Sequence, residues 1–515
     1  MKKLIIIFSV LIFLSSMNLK AQEVVELKIP ESDKVVIKLV FNNGSVCDPQ
    51  GKEGLTNLTS SLLVSGGTKD YTYSQIQDIL FPMAANYGVK VDKEVSIFTF
   101  QVHKDFLVQF YEILRGIMLT PSFTEEDFER VKSNQQVYVD QSVRASSDEE
   151  YSKKLLEHYL FAGTKYQQMV AGKSESVKSI TLDDVKNHYK NYYTKNNLTI
   201  GIAGNYSKDF LAKLRSDMQQ LSDLKPAIPE LGKPLQPAGI NVEIISKKDA
   251  FGSAIFMGFP MNVTRASDDF AALMIANSYL GEHRKSYGVL YNKIRETRSM
   301  NYGDYSYIEW YDNGGAYMLP PAGTPRRMNY FSMWIRPVQI AKQLRSQYSE
   351  LSDVRIGHAH FAIRMAVREL DKLVKNGIPQ KDFEATKTFL MSYIKLYTQR
   401  MSDQLGYVLD SKFYGRKDYI NEMEKLLAKL TKKDVDAAIK KYWQTENMYI
   451  AIVTDESEAD ALAESLQNNF PSPMTYSNLV KAGLPASVLA EDDSVAVYKM
   501  NIKSVEIIKS EDTFK

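Results

Sequence analysis

The sequence predicts an α+β protein built twice over; two internal echoes and a proline-rich seam between the copies predict it. Ile180–Gly204 (ITLDDVKNHYKNYYTKNNLTIGIAG) matches Leu430–Thr454 (LTKKDVDAAIKKYWQTENMYIAIVT) without a gap, 250 positions later. A shorter pair, Glu126–Lys132 (EDFERVK) and Lys381–Lys387 (KDFEATK), lies at an offset of 255, so the duplication extends over most of the chain. The seam is Lys225–Gly239, KPAIPELGKPLQPAG, whose four prolines and two glycines mark an extended linker. Two homologous halves joined in this way are expected to enclose something between them.

Each element follows from local pattern. In the first half, strands are expected at Val24–Ile29 and Val35–Phe41, then a helix from about Glu53 and the alternating strand Ser96–Val102. Helices follow at Lys104–Leu119, Glu125–Val143, Asp148–His158 and Leu182–Tyr193, then strand Leu198–Ala203 and helix Lys208–Gln220. In the second half, strands are expected near Val242–Ile245 and Ser253–Phe259, helices at Ser267–Leu280 and Val289–Arg298, and strands at Tyr302–Trp310 and Tyr330–Ile335. Long helices at Ala359–Asn376, Lys381–Leu396, Ser402–Phe413 and Lys432–Tyr442 lead to strand Met448–Val453. In both repeats a Thr caps the repeated helix (Thr181 before Leu182–Tyr193, Thr431 before Lys432–Tyr442) and Asp-Val follows three residues on. Asp312–Pro325 reads as a long loop, and the tail from Pro471 carries short apolar runs suited to edge strands.

Residues 1–21 read as a secretory signal: Lys2-Lys3, the apolar run Leu4–Leu14, and a cleavage site ending at Ala21. A soluble, periplasmic or secreted protein is therefore expected, without a membrane span. No Cys follows the cleavage site to carry a lipid. Removing the segment takes away three lysines, so the formal charge of +2 becomes about −1. Nothing in that balance calls for nucleic acid. Cys47 is the single cysteine, which excludes an intrachain disulfide and reads as a small buried hydrophobe. At 44% hydrophobic and 24% charged, the chain can bury two cores.

The segment Gly54–Thr68, GLTNLTSSLLVSGGT, brings the chain to a family. With the Pro121–Arg130 run PSFTEEDFER, the repeated L-T-x-x-D-V helix and Leu290–Tyr302 (LYNKIRETRSMNY), it resembles the pitrilysin/insulinase zinc metallopeptidases. The resemblance implies two halves, each a mostly antiparallel sheet with packed helices, closing as a clamshell around a chamber. It also implies an inverted zinc motif, H-x-x-E-H, on the helix after Gly54.

That motif is empty. The two histidine positions fall on Asn57 and Ser61, the glutamate that activates water falls on Ser60, and the third ligand falls on Tyr138; no Glu occurs between Glu129 and Glu149. A catalytic zinc needs about three protein ligands, and amide or hydroxyl oxygen replaces imidazole and carboxylate poorly. Losing the general base removes a further factor of about 10²–10⁴. No metal is expected in this chain, and Leu55, Leu58, Leu62 and Leu63 suffice to explain an amphipathic core helix. His358 and His360 sit two apart, which diverges on a helix, and Glu282-His283 lacks a second histidine four residues away.

What the resemblance retains is Arg295 and Tyr302, seven apart, matching a pair that holds substrate carbonyls and the oxyanion in active relatives. Zinc-less subunits of heterodimeric relatives lend this pair to a zinc-bearing sister subunit. The chain is accordingly expected to be a non-catalytic subunit of an exported zinc peptidase, binding peptide. Two alternatives stand beside that reading: a stand-alone peptide-binding or scaffold protein on the same fold, and a peptidase with an unrelated active site.

Overall fold

Strand β2 (Lys34–Phe41) sets the architecture, because seven of its eight residues, Lys38 included, are buried. A strand buried on both sides needs a layer on each. Val35, Ile37 and Leu39 pack on Phe110 and Leu114 of helix Leu107–Leu119, as the period-2 alternation directs. Val36 and Val40 face the other way, onto Leu405 and Leu409 of the opposite half.

The structure, a computed structural model, describes residues 23–283, 285–309 and 321–514. The expected signal segment and the Asp312–Pro320 part of the expected long loop lie outside them. The first sheet contains β1 (Glu23–Lys28), β2, β3 (Asn86–Val91), β4 (Ser96–His103) and β5 (Leu198–Gly204) in the order β1-β5-β2-β4-β3. Only β1 and β5 are parallel. The second sheet contains β6 (Ile240–Lys247), β7 (Ala254–Met261), β8 (Asn301–Tyr307), β9 (Asn329–Pro337), β10 (Met448–Asp455) and β11 (Ile502–Lys509), in the order β11-β6-β10-β7-β9-β8. Apart from β11, it repeats the order and the directions of the first. The duplicated sequence is thus a duplicated α+β fold.

The halves close as a clamshell by exchanging helices. Helix Met401–Phe413 of the second half lies on the first sheet, and helix Asp148–Leu160 of the first half lies on the second, with Leu155 and Leu156 among Phe256, Ala451 and Val453. Such contact needs small residues beneath the helix. A Cβ on Gly201 of β5 would come within 2.7 Å of Leu409 Cδ1, and its repeat counterpart in β10, 250 residues on, is only Ala451. Each buried leucine contributes about 1.5–3 kcal/mol, so the exchange is a substantial part of what holds the halves together.

Both repeat helices are capped as their sequence indicates. Asp184 N–H donates to Thr181 Oγ1 at 3.2 Å and Thr181 N–H donates to Asp184 Oδ2 at 2.8 Å; Thr431 and Asp434 do the same at 3.3 and 2.8 Å.

Several elements differ from the sequence expectation. The strand β3 and helix Tyr73–Leu80 were not expected, because NYGVKV is half-exposed and lacks clean alternation. The helix expected over Glu125–Val143 changes at Tyr138 into π-helical turns running to Ser146. In the tail, Val505–Ile508 falls within β11, whereas Val495 and Ala496 end the helix Ala486–Ala496. The tail then fastens the two halves: Tyr151 Oη–H of the first half donates to the Ser510 carbonyl at 3.0 Å, and Phe514 packs against Tyr151 and His158. Among the described residues, no helix is long and apolar enough to cross a membrane.

Candidate functional site

Helix Leu55–Ser65 begins where two features coincide. Gly54 takes φ +96°, and a Cβ there would meet the Ala171 carbonyl oxygen at 2.6 Å, so glycine is required on both counts. The buried Asp48 carboxylate then caps the helix start, accepting from Gly54 N at 2.7 Å, Thr56 N at 2.8 Å and Thr56 Oγ1 at 2.6 Å. Burial pushes the Asp48 carboxyl up to about 7, against those hydrogen bonds. His188 Nε2 lies 3.0 Å from Thr56 Oγ1, and burial pushes its imidazole down to about 3.

Leu55, Leu58 and Leu62 pack with Phe128, Val131, Ile180 and Val185, which turns Asn57 and Ser61, one helical turn apart, toward a cavity of about 440 Å³. Helix Glu125–Val137 and its continuation present Asn134, Gln135 and Tyr138 to the same space. Asn57 Nδ2 donates to Gln135 Oε1 at 2.9 Å, and Gln135 Nε2 donates to the carbonyls of Gly54 and Ala171 at 3.0 and 2.9 Å. Ser60 points the other way. Its hydroxyl donates to the Thr56 carbonyl at 2.8 Å and lies 2.5 Å from Tyr193 Oη, in the core.

The far wall comes from the exchange of elements between the halves. Arg326, on the chain leading into β9, reaches across to Asp92 at the end of β3, donating from Nε at 2.8 Å and Nη2 at 2.6 Å, and from Nη1 to Glu157 Oε1 at 3.0 Å. Burial pushes the Asp92 and Glu157 carboxyls up, but the Arg326 charge prevails and holds both below the usual range. Lys154, from the exchanged helix, lines the same cavity.

Residues 23–174 match the family described as Insulinase (Peptidase family M16), and residues 179–390 match the Peptidase M16 inactive domain. The chain belongs to peptidase family M16. A Helicobacter pylori protein described as non-peptidase homolog YmxG is 21% identical over 474 residues, covering 89% of this chain and 100% of its own length. An uncharacterized zinc protease YmxG of Bacillus subtilis is 19% identical over 286 residues, 56% of this chain and 68% of that protein. Among solved structures, the peptidase M16 inactive domain from Pseudomonas fluorescens superposes with TM-score 0.70 at 18% identity, over 85% of this chain and 96% of that one. A protease from Helicobacter pylori gives 0.67 at 14% identity, over 83% and 96%. Both share the fold.

This M16 chain lacks the donor set for the family's zinc. Where imidazoles and carboxylates are needed, the site offers the Asn57 and Gln135 amides, already bonded to each other, and the hydroxyls of Ser61 and Tyr138. A zinc ion in a tetrahedral nitrogen and sulfur or carboxylate shell is not matched by these groups, and Ser60, in the place of the water-activating glutamate, is committed to the core. Among the described residues, no three His, Cys, Asp or Glu side chains gather as a metal site. The chain is an M16 homologue without the peptidase machinery.

Arg295 lies in the short helix Tyr291–Glu296, its guanidinium 4.8 Å over the Tyr291 ring, and Tyr302 is the second residue of β8. Burial holds the Asp304 carboxyl well above the usual range, against the pull of an Asn301 hydrogen bond and the Arg295 charge. Among the described residues, the second half contributes Arg326, not Arg295, to the cavity beside Asn57. His358 and His360 diverge, to the Thr475 carbonyl at 2.9 Å and Ser465 Oγ at 3.4 Å, and burial pushes them down to about 4 and about 3. Cys47 is buried between the halves, and burial raises its thiol to about 12.

Sequence reasoning missed Gln135, Lys154 and Arg326. Gln135 could have been found from its spacing: it stands four residues after Val131 and three before Tyr138, on one helix face. Arg326 carries no such signal.

Proposed function

We propose that this chain is the non-catalytic subunit of an exported M16 peptidase, pairing with a zinc-bearing sister subunit and binding peptide. The observation that carries the reading is a two-half M16 fold whose zinc-ligand positions hold Asn57, Ser61 and Tyr138, with Asn57 bonded to Gln135. A fold retained without its metal chemistry is one used for binding or assembly. Arg295 and Tyr302 supply a guanidinium for a substrate carbonyl and a phenol for an oxyanion in the sister's site. The charged and apolar start of the chain, Met1–Ala21, would take this subunit to the periplasm or outside the cell.

Mixing this chain with an H-x-x-E-H sister protein should raise peptide cleavage well above either alone. Arg295→Ala or Tyr302→Phe should then lower turnover by about 10²–10³-fold, the usual loss for an oxyanion donor, without preventing association. Unchanged cleavage by folded, associated variants would remove the Arg295/Tyr302 role.

One observation favours a second reading, a stand-alone peptide-binding protein. Strand β3 is the edge of the first sheet, and its last residue, Val91, lines the cavity, so an extended peptide could add to that edge with side chains entering the cavity. Peptide binding by the isolated chain, with no effect of a sister protein, would select this reading.

A further inference from the structure

Hydrogen bonding fixes which way the Asn57 amide faces. The buried Gln135 donates from Nε2 to two backbone carbonyls, Gly54 at 3.0 Å and Ala171 at 2.9 Å. Carbonyls only accept, so the Gln135 amide has one orientation and leaves Oε1 toward Asn57. Asn57 answers with Nδ2 at 2.9 Å. A reversed Asn57 amide would set two carbonyl oxygens against each other. Asn57 therefore keeps Oδ1 and one N–H for the cavity of about 440 Å³ that it lines, and Oδ1 accepts from no group among the described residues.

Two more neutral groups stand beside it. Ser61, one turn further along the helix, and the exposed Asn134 line the same cavity, and neither side chain makes a hydrogen bond among the described residues. The charged lining residues have partners of their own. Arg326 donates to Asp92 and Glu157. Burial pushes the Glu150 and Glu157 carboxyls up, and the cations around them, Lys154 among them, hold both below the usual range. The ligand chemistry of the cavity thus lies with its neutral groups, a fixed acceptor with a hydroxyl one turn away.

We propose that this cavity takes a carboxamide, the side chain of a Gln or Asn residue in a bound peptide. Its N–H donates to Asn57 Oδ1 and its carbonyl accepts from the Ser61 hydroxyl, residues one turn apart on a helix being about 5–6 Å from each other. A carboxylate would use the hydroxyl but set its second oxygen against Oδ1. An apolar side chain would displace water from Oδ1 and give no donor back, which costs more than the bond is worth. An ammonium would enter beside Lys154 and Arg326, two like charges. The source of the carboxamide rests on the peptide-binding reading, whereas the preference for a carboxamide does not.

The test uses the mature full-length protein and fluorescence anisotropy with fluorescein-labelled, C-terminally amidated Ala/Val/Thr peptides in which one central residue is Gln, Asn, Glu, Lys or Met. The Gln or the Asn peptide should bind at least about tenfold tighter than the Glu, Lys and Met peptides, as one hydrogen bond to an otherwise unsatisfied acceptor requires. Asn57→Leu should abolish the preference while keeping the affinity for the Met peptide. Ser61→Ala, which breaks no hydrogen bond of the protein, should reduce the preference with an unchanged melting curve, so the proposal stays testable if Asn57→Leu folds poorly. Equal binding of all the peptides, or a preference for Glu, Lys or Met, would overturn the carboxamide proposal and leave peptide binding standing. If no peptide binds, N-acetylglutamine methylamide against N-acetylmethionine methylamide decides: a melting temperature raised by the first alone, and not in Ser61→Ala, supports the carboxamide site without peptide. No difference between the two compounds would overturn it together with the peptide reading.

Discussion

Glu157 and Asp410 hold the same place in the two copies of the repeat, 253 residues apart on the two exchanged helices, and each accepts from a buried arginine: Arg326 at 3.0 Å and Arg265 at 2.9 Å. Each arginine also grips a carboxylate just beyond an edge strand, Asp92 after β3 and Glu309 after β8. The duplication has thus kept an acidic residue on each exchanged helix and an acidic residue beyond each edge strand, with a cation between them.

Arg326→Met should destabilise the protein strongly. It leaves Asp92 and Glu157, 2% and 6% exposed, without their cation, and losing one partner of a buried pair costs about 3–5 kcal/mol. Urea denaturation checks this. A loss below about 1 kcal/mol would mean that water or Lys93 compensates the two carboxylates.

Restoring the zinc site should require more than the two histidines. Asn57→His with Ser61→His should bind zinc weakly, because Tyr138, at the expected third position, is a phenol and Gln135, the side chain beside Asn57, is an amide. Adding Gln135→Glu, at the residue now 2.9 Å from Asn57, should bring zinc toward one per chain by elemental analysis after dialysis. The unaltered protein should retain less than about 0.1 per chain, as its donors are amides and hydroxyls. Stoichiometric zinc in the wild type would contradict the reading of the site.

The two halves should not separate after cleavage of the linker. Limited proteolysis is expected to cut first within Lys225–Gly239, and the fragments should stay together on gel filtration, since each carries a helix buried in the other. The fragment ending near residue 224, expressed alone, should aggregate because Leu155 and Leu156 lose their cover. Free monomeric halves would show that the helix exchange contributes little.

Stability should fall as pH rises from about 4.5 to about 8 through Glu243. Burial, then the charge of Glu506 directly beside it on β11, raises the Glu243 carboxyl to about 8. A carboxyl whose folded value lies above its unfolded one favours folding fully below the unfolded value, and that contribution is lost as pH climbs through the folded value. Glu243→Gln should therefore melt higher than the wild type at pH 8, by roughly 1–2 °C, and no higher at pH 4.5. A uniform shift at both pH values would assign the effect to packing instead.

The sequence by itself determined the duplication, the α+β class and the emptiness of the zinc motif. Those properties are local: a capped helix beginning at Thr181 or Thr431, an alternating strand such as β4, and the identity of the residues at Asn57, Ser60 and Ser61 are all written within a few positions of one another. The strand β2 shows where that legibility ends. Its apolar run, interrupted only by Lys38, is buried on both faces and needs two covering layers, but nothing in KVVIKLVF said that the second would be Leu405 and Leu409 from the other half. The cavity was decided the same way. Asn57, Gln135, Lys154 and Arg326 lie far apart in the chain and meet only because helix Asp148–Leu160 crosses to the second sheet and Arg326 reaches back to Asp92. Contacts of that kind depend on how two finished sheets pack, and burial of charge between them has no local periodicity from which it could be read.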